Sequence, residues 1–216
     1  MILPLGTFFE DLPESLREDA VRNLLSKFPA SAPVPIVHAD GLDILELFHG
    51  PTGAFKDVAL SVLPVLMSAA ARERSSARKV LILTATSGDT GSAAMAGFAD
   101  VPGIEIAVFF PASGTSRIQR LQMTTPSAPN VHAIAIRGNF DDAQAAVKHI
   151  FSSPAIRAEA ESAGIFLSSA NSINIGRLVP QVAYYLHAAA KVGQEFDVVV
   201  PSGNFGNILA AYYATR

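Results

Sequence analysis

Four short segments carry residue types that could do chemistry, and each follows a run of strand-like residues. The first reads His49-Gly50-Pro51-Thr52-Gly53-Ala54-Phe55-Lys56-Asp57 and puts Lys56 at or near the start of a helical stretch. A helix N-terminus carries roughly half a positive charge and disfavours a nearby ammonium. A lysine there is misplaced for stability but suited to condensing with a carbonyl compound. The plainer alternative is a surface lysine whose charge Asp57 balances.

The second segment, Thr84-Ala85-Thr86-Ser87-Gly88-Asp89-Thr90-Gly91-Ser92, offers hydroxyls and backbone N–H groups that would converge on a carboxylate or phosphate. It fits neither the triphosphatase pattern nor the dinucleotide fingerprint. An ordinary turn capped by Ser87 or Asp89 is its alternative. The third, Pro201-Ser202-Gly203-Asn204-Phe205-Gly206-Asn207, flanks Asn-Phe with glycines just before an alanine-rich helix, a cup that suits a dianionic phosphate. A tight turn with a left-handed asparagine explains one glycine there but not the whole run. In the fourth, Ser168 to Arg177, Asn174 and Arg177 are three apart and share a helical face. They suit a phosphorylated substrate, or else serve as a cap and a solvated arginine. Together, an imine-suited lysine and several anion cups on one sheet edge point to a phosphate-bearing cofactor near Lys56, with pyridoxal 5′-phosphate (PLP) the candidate. No acidic pair suggests a magnesium site, and no metal is expected.

These loops need strands behind them. Strands are expected at 43–48, 79–85, 104–110, 131–136 and 196–200, with a weaker one at 165–170. Helices are expected at 57–73, 90–99, 116–123, 141–151, 173–191 and 206–214. Several strands are continuously apolar, as parallel strands covered on both faces are. The alternation predicts an α/β fold with mostly parallel sheets and helices on both faces. Residues 1–40 read as helical and then irregular, with Pro29, Pro33 and Pro35 in a connector. Leu60, Val62, Leu63, Leu66 and Met67 form a core face, and Tyr184, Tyr185, Tyr212 and Tyr213 read as packing residues. Pro64 predicts a kink or restart in the 57–73 helix.

Composition narrows the function classes. The chain has 216 residues, half apolar and 16% charged, with net charge −3, which excludes a disordered, fibrous or strongly basic nucleic-acid-binding chain. Cysteine is absent, so disulfides, thiolate metal sites and thiol nucleophiles are excluded. No apolar run approaches the roughly 18 residues of a spanning helix, and the N-terminus lacks the basic start of a signal peptide. A cytoplasmic protein acting on small molecules, without nucleic acid or membrane as partner, is expected. The final Ala-Tyr-Tyr-Ala-Thr-Arg breaks off within a helical pattern, as in a chain cut short.

In this order, HGPTGAFKD, TATSGDTGSA, SANSINIGR and PSGNFGN closely resemble the threonine synthases of the fold-type II PLP enzymes, over roughly 43–216. The resemblance implies that Lys56 forms the imine link to PLP and shuttles protons. It implies that Gly203, Asn204, Phe205, Gly206 and Asn207 hold the cofactor phosphate. Ser87, Gly88, Asp89, Thr90 and Gly91 match the loop for the substrate carboxylate. Asp89 stands where relatives carry an asparagine that contacts the cofactor ring. Ser172, Asn174 and Arg177 are assigned to the substrate phosphate. The implied reaction turns O-phospho-L-homoserine and water into L-threonine and phosphate. It also implies a larger domain begun by 1–78 and re-entered by 173–216, a smaller one at 79–172, and a pyridine-nitrogen partner beyond Arg216. An open sheet edge, exposed apolar helix faces, and weak or absent turnover should follow. Two alternatives stand beside this reading: a non-catalytic remnant acting as a binding module, and a PLP lyase of the serine or threonine dehydratase type.

Overall fold

A computed structural model describes residues 2–29, 32–73, 78–171, 174–201 and 203–216. The chain divides into two units, residues 1–65 with 172–216, and residues 66–171.

The second unit is built on the apolar runs. β3 (Lys79–Ala85), β4 (Ile104–Pro111), β5 (Val131–Ile136) and β6 (Ile165–Ser169) form a parallel sheet in the order β5-β4-β3-β6. The strands alternate with α4 (Asp89–Phe98), α5 (Arg117–Thr124), α6 (Phe140–Ser152) and α7 (Pro154–Ser162). Because strand residues alternate between faces, Leu83, Ala85 and Ala107 meet Ala143 and Val147 of α6 on one side. On the other, Gly91 of α4 and Met123 of α5 lie against Val108. Both faces of the central strands β3 and β4 are therefore covered, which is why these two need no polar alternation, while the edge strand β5 is half exposed. The order reverses between β3 and β6, and ligands of open α/β sheets sit at the carboxyl ends beside such a reversal. α7 was not foreseen, although Ser153 caps it and Pro154 occupies its first turn.

The first unit contains α1 (Ile2–Phe8), α2 (Glu14–Ser26), a hairpin of β1 (Ile36–Ala39) and β2 (Leu42–Leu45), the start of α3 (Lys56–Glu73), α8 (Ile175–Val192) and α9 (Gly206–Ala214). α1 packs on α2 and α8, and α8 packs on α9. Leu5, Leu24, Leu60, Leu63, Val179 and Tyr184 are buried among them.

Three expectations are corrected. Residues 43–48 do not form a parallel strand: 42–45 pair antiparallel with 36–39 around Asp40-Gly41, whose φ angles of 52° and 78° suit a two-residue hairpin turn. The 196–200 segment joins no sheet among the described residues, and Val199 is 93% exposed. Its valines carry strand propensity, but a strand exists only with a partner. Of the kink or restart expected at Pro64, the restart is absent: α3 runs on as one helix through the proline, and the division between the units falls just after it, at Val65.

Candidate active site

Lys56 is the first residue of α3 and is only 8% exposed. Its Nζ lies 4.2 Å from the centre of the Phe55 ring, within the range of a cation–π contact. The turn before it is tied down by Asp57. That buried carboxylate accepts the Thr52 backbone N–H at 2.9 Å and the Thr52 hydroxyl at 2.7 Å. Gly50 makes this possible, since a Cβ there would stand 2.5 Å from the Asp57 Cβ. The lysine is thus not a surface residue, and the oxygens of Asp57 are engaged by the loop.

In the same unit, residues 203–207 form the turn into α9. Phe205 adopts φ 52° as the helix N-cap and is 66% exposed. A left-handed phenylalanine stores of order 1–3 kcal/mol and persists only where its surroundings hold it. A Cβ added at Gly203 would have no heavy atom within 4 Å among the described residues, so this backbone is open to approach. Residues 201–209 contain no acidic side chain. The Gly206 N–H is taken by the Asn204 carbonyl at 2.6 Å, and the N–H groups that follow it in the first turn of α9 lack intrahelical acceptors.

Asn207 differs from the rest of its loop. Its side chain is buried, and its Oδ1 receives the hydroxyls of Tyr184 at 2.8 Å and Tyr185 at 2.5 Å. Tyr184 also reaches Gln181 Oε1 at 3.1 Å, and Gln181 Nε2 donates to the Arg177 carbonyl at 2.9 Å. Burial pushes both phenols upward, Tyr185 to about 12, with Tyr185 adding to the Tyr184 shift and Arg177 opposing it. Both therefore remain O–H donors near neutrality. Reading the two tyrosines as packing residues missed these hydroxyls, which act 22 and 23 positions along the chain.

At the start of α8, Asn174 is the N-cap and its Oδ1 accepts the Gly176 N–H at 2.9 Å. Arg177 is buried, not solvated. Gly176 packs against Leu63 of α3, so α8 begins beside the helix that carries Lys56. Ser172 and Ser202 lie outside the described residues.

The Ser87–Gly91 segment belongs to the other unit, at the carboxyl end of β3. Neither Ser87 nor Asp89 caps α4: its N-cap is Gly88, without a side-chain bond. The buried Thr86 hydroxyl instead accepts the N–H groups of Gly88 at 2.9 Å and Gly91 at 3.0 Å. Those two amides are engaged internally, while Ser87 remains exposed. Asn171 fixes the strand end beneath by donating Nδ2 to the Ala85 carbonyl at 3.0 Å and accepting the Ala85 N–H at 3.3 Å. Thr86 and Asn171 were both missed as supports of this loop.

A family profile, pyridoxal-phosphate dependent enzyme, matches residues 29–216. The chain belongs to the pyridoxal-phosphate dependent enzymes. Within that family it is 43% identical to the threonine synthase of Pseudomonas aeruginosa over 191 residues, 87% of this chain and 39% of that one. The PLP-bound threonine synthase of Brucella melitensis superposes with TM-score 0.81 at 42% identity, over 94% of this chain and 43% of that one. The Escherichia coli threonine synthase does so with TM-score 0.80 at 35% identity, over 99% and 48%. The chain spans about two fifths of the length of such relatives. The family's cofactor suits the residues present: an acid-free helix start for a phosphate, and a buried lysine at a second helix start in the same unit. Among the described residues, no helix is long and apolar enough to cross a membrane.

Proposed function

We propose that this chain carries the lysine and the phosphate cup of a threonine synthase, which converts O-phospho-L-homoserine and water to L-threonine and phosphate. The observation that carries the reading is Lys56, buried at the start of α3 in the same unit as the open, acid-free turn into α9. Likeness to threonine synthases across nearly the whole chain supports it.

When bound, PLP supplies an electron-withdrawing ring that stabilises negative charge on the substrate carbons next to the amine. Gly203, Asn204, Phe205, Gly206 and Asn207 hold its phosphate through the α9 start. Lys56 provides the attachment amine and then the base that takes the α proton. The segment Ser87, Gly88, Asp89, Thr90 and Gly91 is assigned to the substrate carboxylate. Because Thr86 takes the N–H groups of Gly88 and Gly91, these two glycines shape the loop and the hydroxyls of Ser87 and Thr90 are what it offers the anion. Arg177, with Asn174 and Ser172, would balance the substrate phosphate. Over the whole reaction Cγ loses phosphate with its ester oxygen and gains a proton, and Cβ loses a proton and gains the hydroxyl of water. The unit of 1–65 with 172–216 corresponds to the larger domain and that of 66–171 to the smaller. A cytoplasmic enzyme of small-molecule metabolism is the setting this reading implies.

The test is to mix the chain with PLP and record visible absorbance, reduce with borohydride, and locate the modified residue by mass spectrometry. Label on Lys56, and loss of absorbance in Lys56→Ala, is expected. Phosphate release from O-phosphohomoserine should exceed ammonia release from serine or threonine. Label elsewhere, or ammonia release alone, overturns the reading.

A further inference from the structure

We infer that Tyr184 and Tyr185 are positioning residues for the anion cup, setting the start of α9 through the side chain of Asn207. The inference rests on the reading of residues 203–207 as a phosphate site.

Adjacent helical residues point about 100° apart and do not normally serve one partner. Here their ring centres are 4.8 Å apart and both hydroxyls reach the same amide oxygen, Asn207 Oδ1. Asn207 is the second residue of α9, so its backbone N–H is among those without an intrahelical acceptor. Two residues earlier Phe205 holds a left-handed backbone that its exposed side chain does nothing to secure. The Asn207 anchor holds the backbone directly after that turn. With Oδ1 engaged by the tyrosines, the amide does not itself fill the cup as a carbonyl acceptor, which would repel an anion. The network also runs back along α8 through Gln181 to the carbonyl of Arg177. The single Tyr184 proton favours Asn207 Oδ1 at 2.8 Å over Gln181 Oε1 at 3.1 Å, so Gln181 serves mainly to seat the phenol beside the backbone of Arg177.

A merely structural role would lower stability and binding of any ligand together. A positioning role acts on the phosphate alone, and comparing PLP with pyridoxal, which has the same aldehyde and ring without the phosphate, separates the two. Visible absorbance titrations of the full chain with each compound give the ratio of their affinities. In Tyr185→Phe and Tyr184→Phe that preference for PLP should fall about tenfold, the size of one buried hydrogen bond, while pyridoxal binding is unchanged. The 31P resonance of bound PLP should shift in the same variants. If Tyr184→Phe does not fold, Tyr185→Phe carries the test alone. Variants that keep the full preference and the 31P shift overturn the inference and leave the cofactor reading intact. A parent chain that binds both compounds equally, or neither, overturns the cofactor reading and this inference with it.

Discussion

Asp57 and Thr52 are joined twice, the carboxylate of one accepting both the backbone N–H and the hydroxyl of the other. The pair closes the turn that leads into Lys56. Thr52→Val removes the hydroxyl and keeps the N–H, so it should cost about 1 kcal/mol. Asp57→Ala removes the acceptor for both and should cost about 2–3 kcal/mol, read from urea midpoints. The PLP absorbance at Lys56 should weaken in the same order. Equal stability of Thr52→Val and the parent would show that the hydroxyl bond contributes nothing.

Two threonines of the second unit should respond in opposite directions to one change. Thr84 Oγ1 is buried and has no hydrogen-bond partner among the described residues, whereas Thr86 Oγ1 accepts two amides. Valine has nearly the same shape as threonine. Thr84→Val therefore removes an unsatisfied hydroxyl and should stabilise by about 1 kcal/mol. Thr86→Val leaves the buried Gly88 N–H unpaired and the Gly91 N–H with only the Gly88 carbonyl at 3.2 Å, and should destabilise by about 1–3 kcal/mol. Thermal melts of the two variants check the sign, and a shared sign would refute the assignment.

What the sequence revealed tracks the range over which each feature is determined. β3 matches its apolar run to the residue, because a central strand covered on both faces needs apolar side chains nearly throughout. β5 matches as well, although it is an edge strand with half its residues exposed. The start of α3 was legible in the same local way, from a glycine-rich turn followed by Lys56-Asp57. The hairpin was also legible: Asp40-Gly41 between apolar runs is a two-residue turn signal that went unread. Residues 196–200 show the opposite limit, since their composition reports a fitness for sheets and says nothing about a neighbour. The Tyr184–Asn207 bond depends on how α8 meets α9, and no local pattern encodes it. Thr86 lay inside a motif that was recognised, yet which hydroxyl would cap the loop depended on backbone geometry.

Gly91 should tolerate no side chain. A Cβ there would lie 2.6 Å from Thr86 Cγ2 and 2.7 Å from both Met123 Sδ and Val108 Cγ1. Two of these neighbours belong to the sheet side and cannot withdraw, so Gly91→Ala should cost about 1–3 kcal/mol through overpacking. Met123 is unbranched and its sulfur is the far end of a flexible chain. Combining Gly91→Ala with Met123→Ala should therefore cost less than the sum of the single changes, a coupling that a double-mutant cycle measures. Strict additivity would place the clash elsewhere.

Alkaline pH should unfold the first unit by way of its buried phenols. Tyr185 titrates at about 12 in the fold against 10.0 ordinarily, because burial penalises the phenolate, and Tyr184 is displaced in the same direction. Between these values the folded chain keeps protons that the unfolded chain has released. The contribution is thus complete below about pH 10 and is lost as pH rises through the window toward 12. Lys27 works the other way: burial lowers its value from 10.5 against the pull of Asp57. From that lowered value up to 10.5 the unfolded chain binds the extra proton, and stability from this group rises with pH. Urea midpoints across the alkaline range should therefore fall less steeply in Tyr185→Phe than in the parent above about pH 10. In Lys27→Gln they should fall more steeply just below 10.5. Parallel curves for parent and Tyr185→Phe would mean that its hydroxyl is not held protonated by burial.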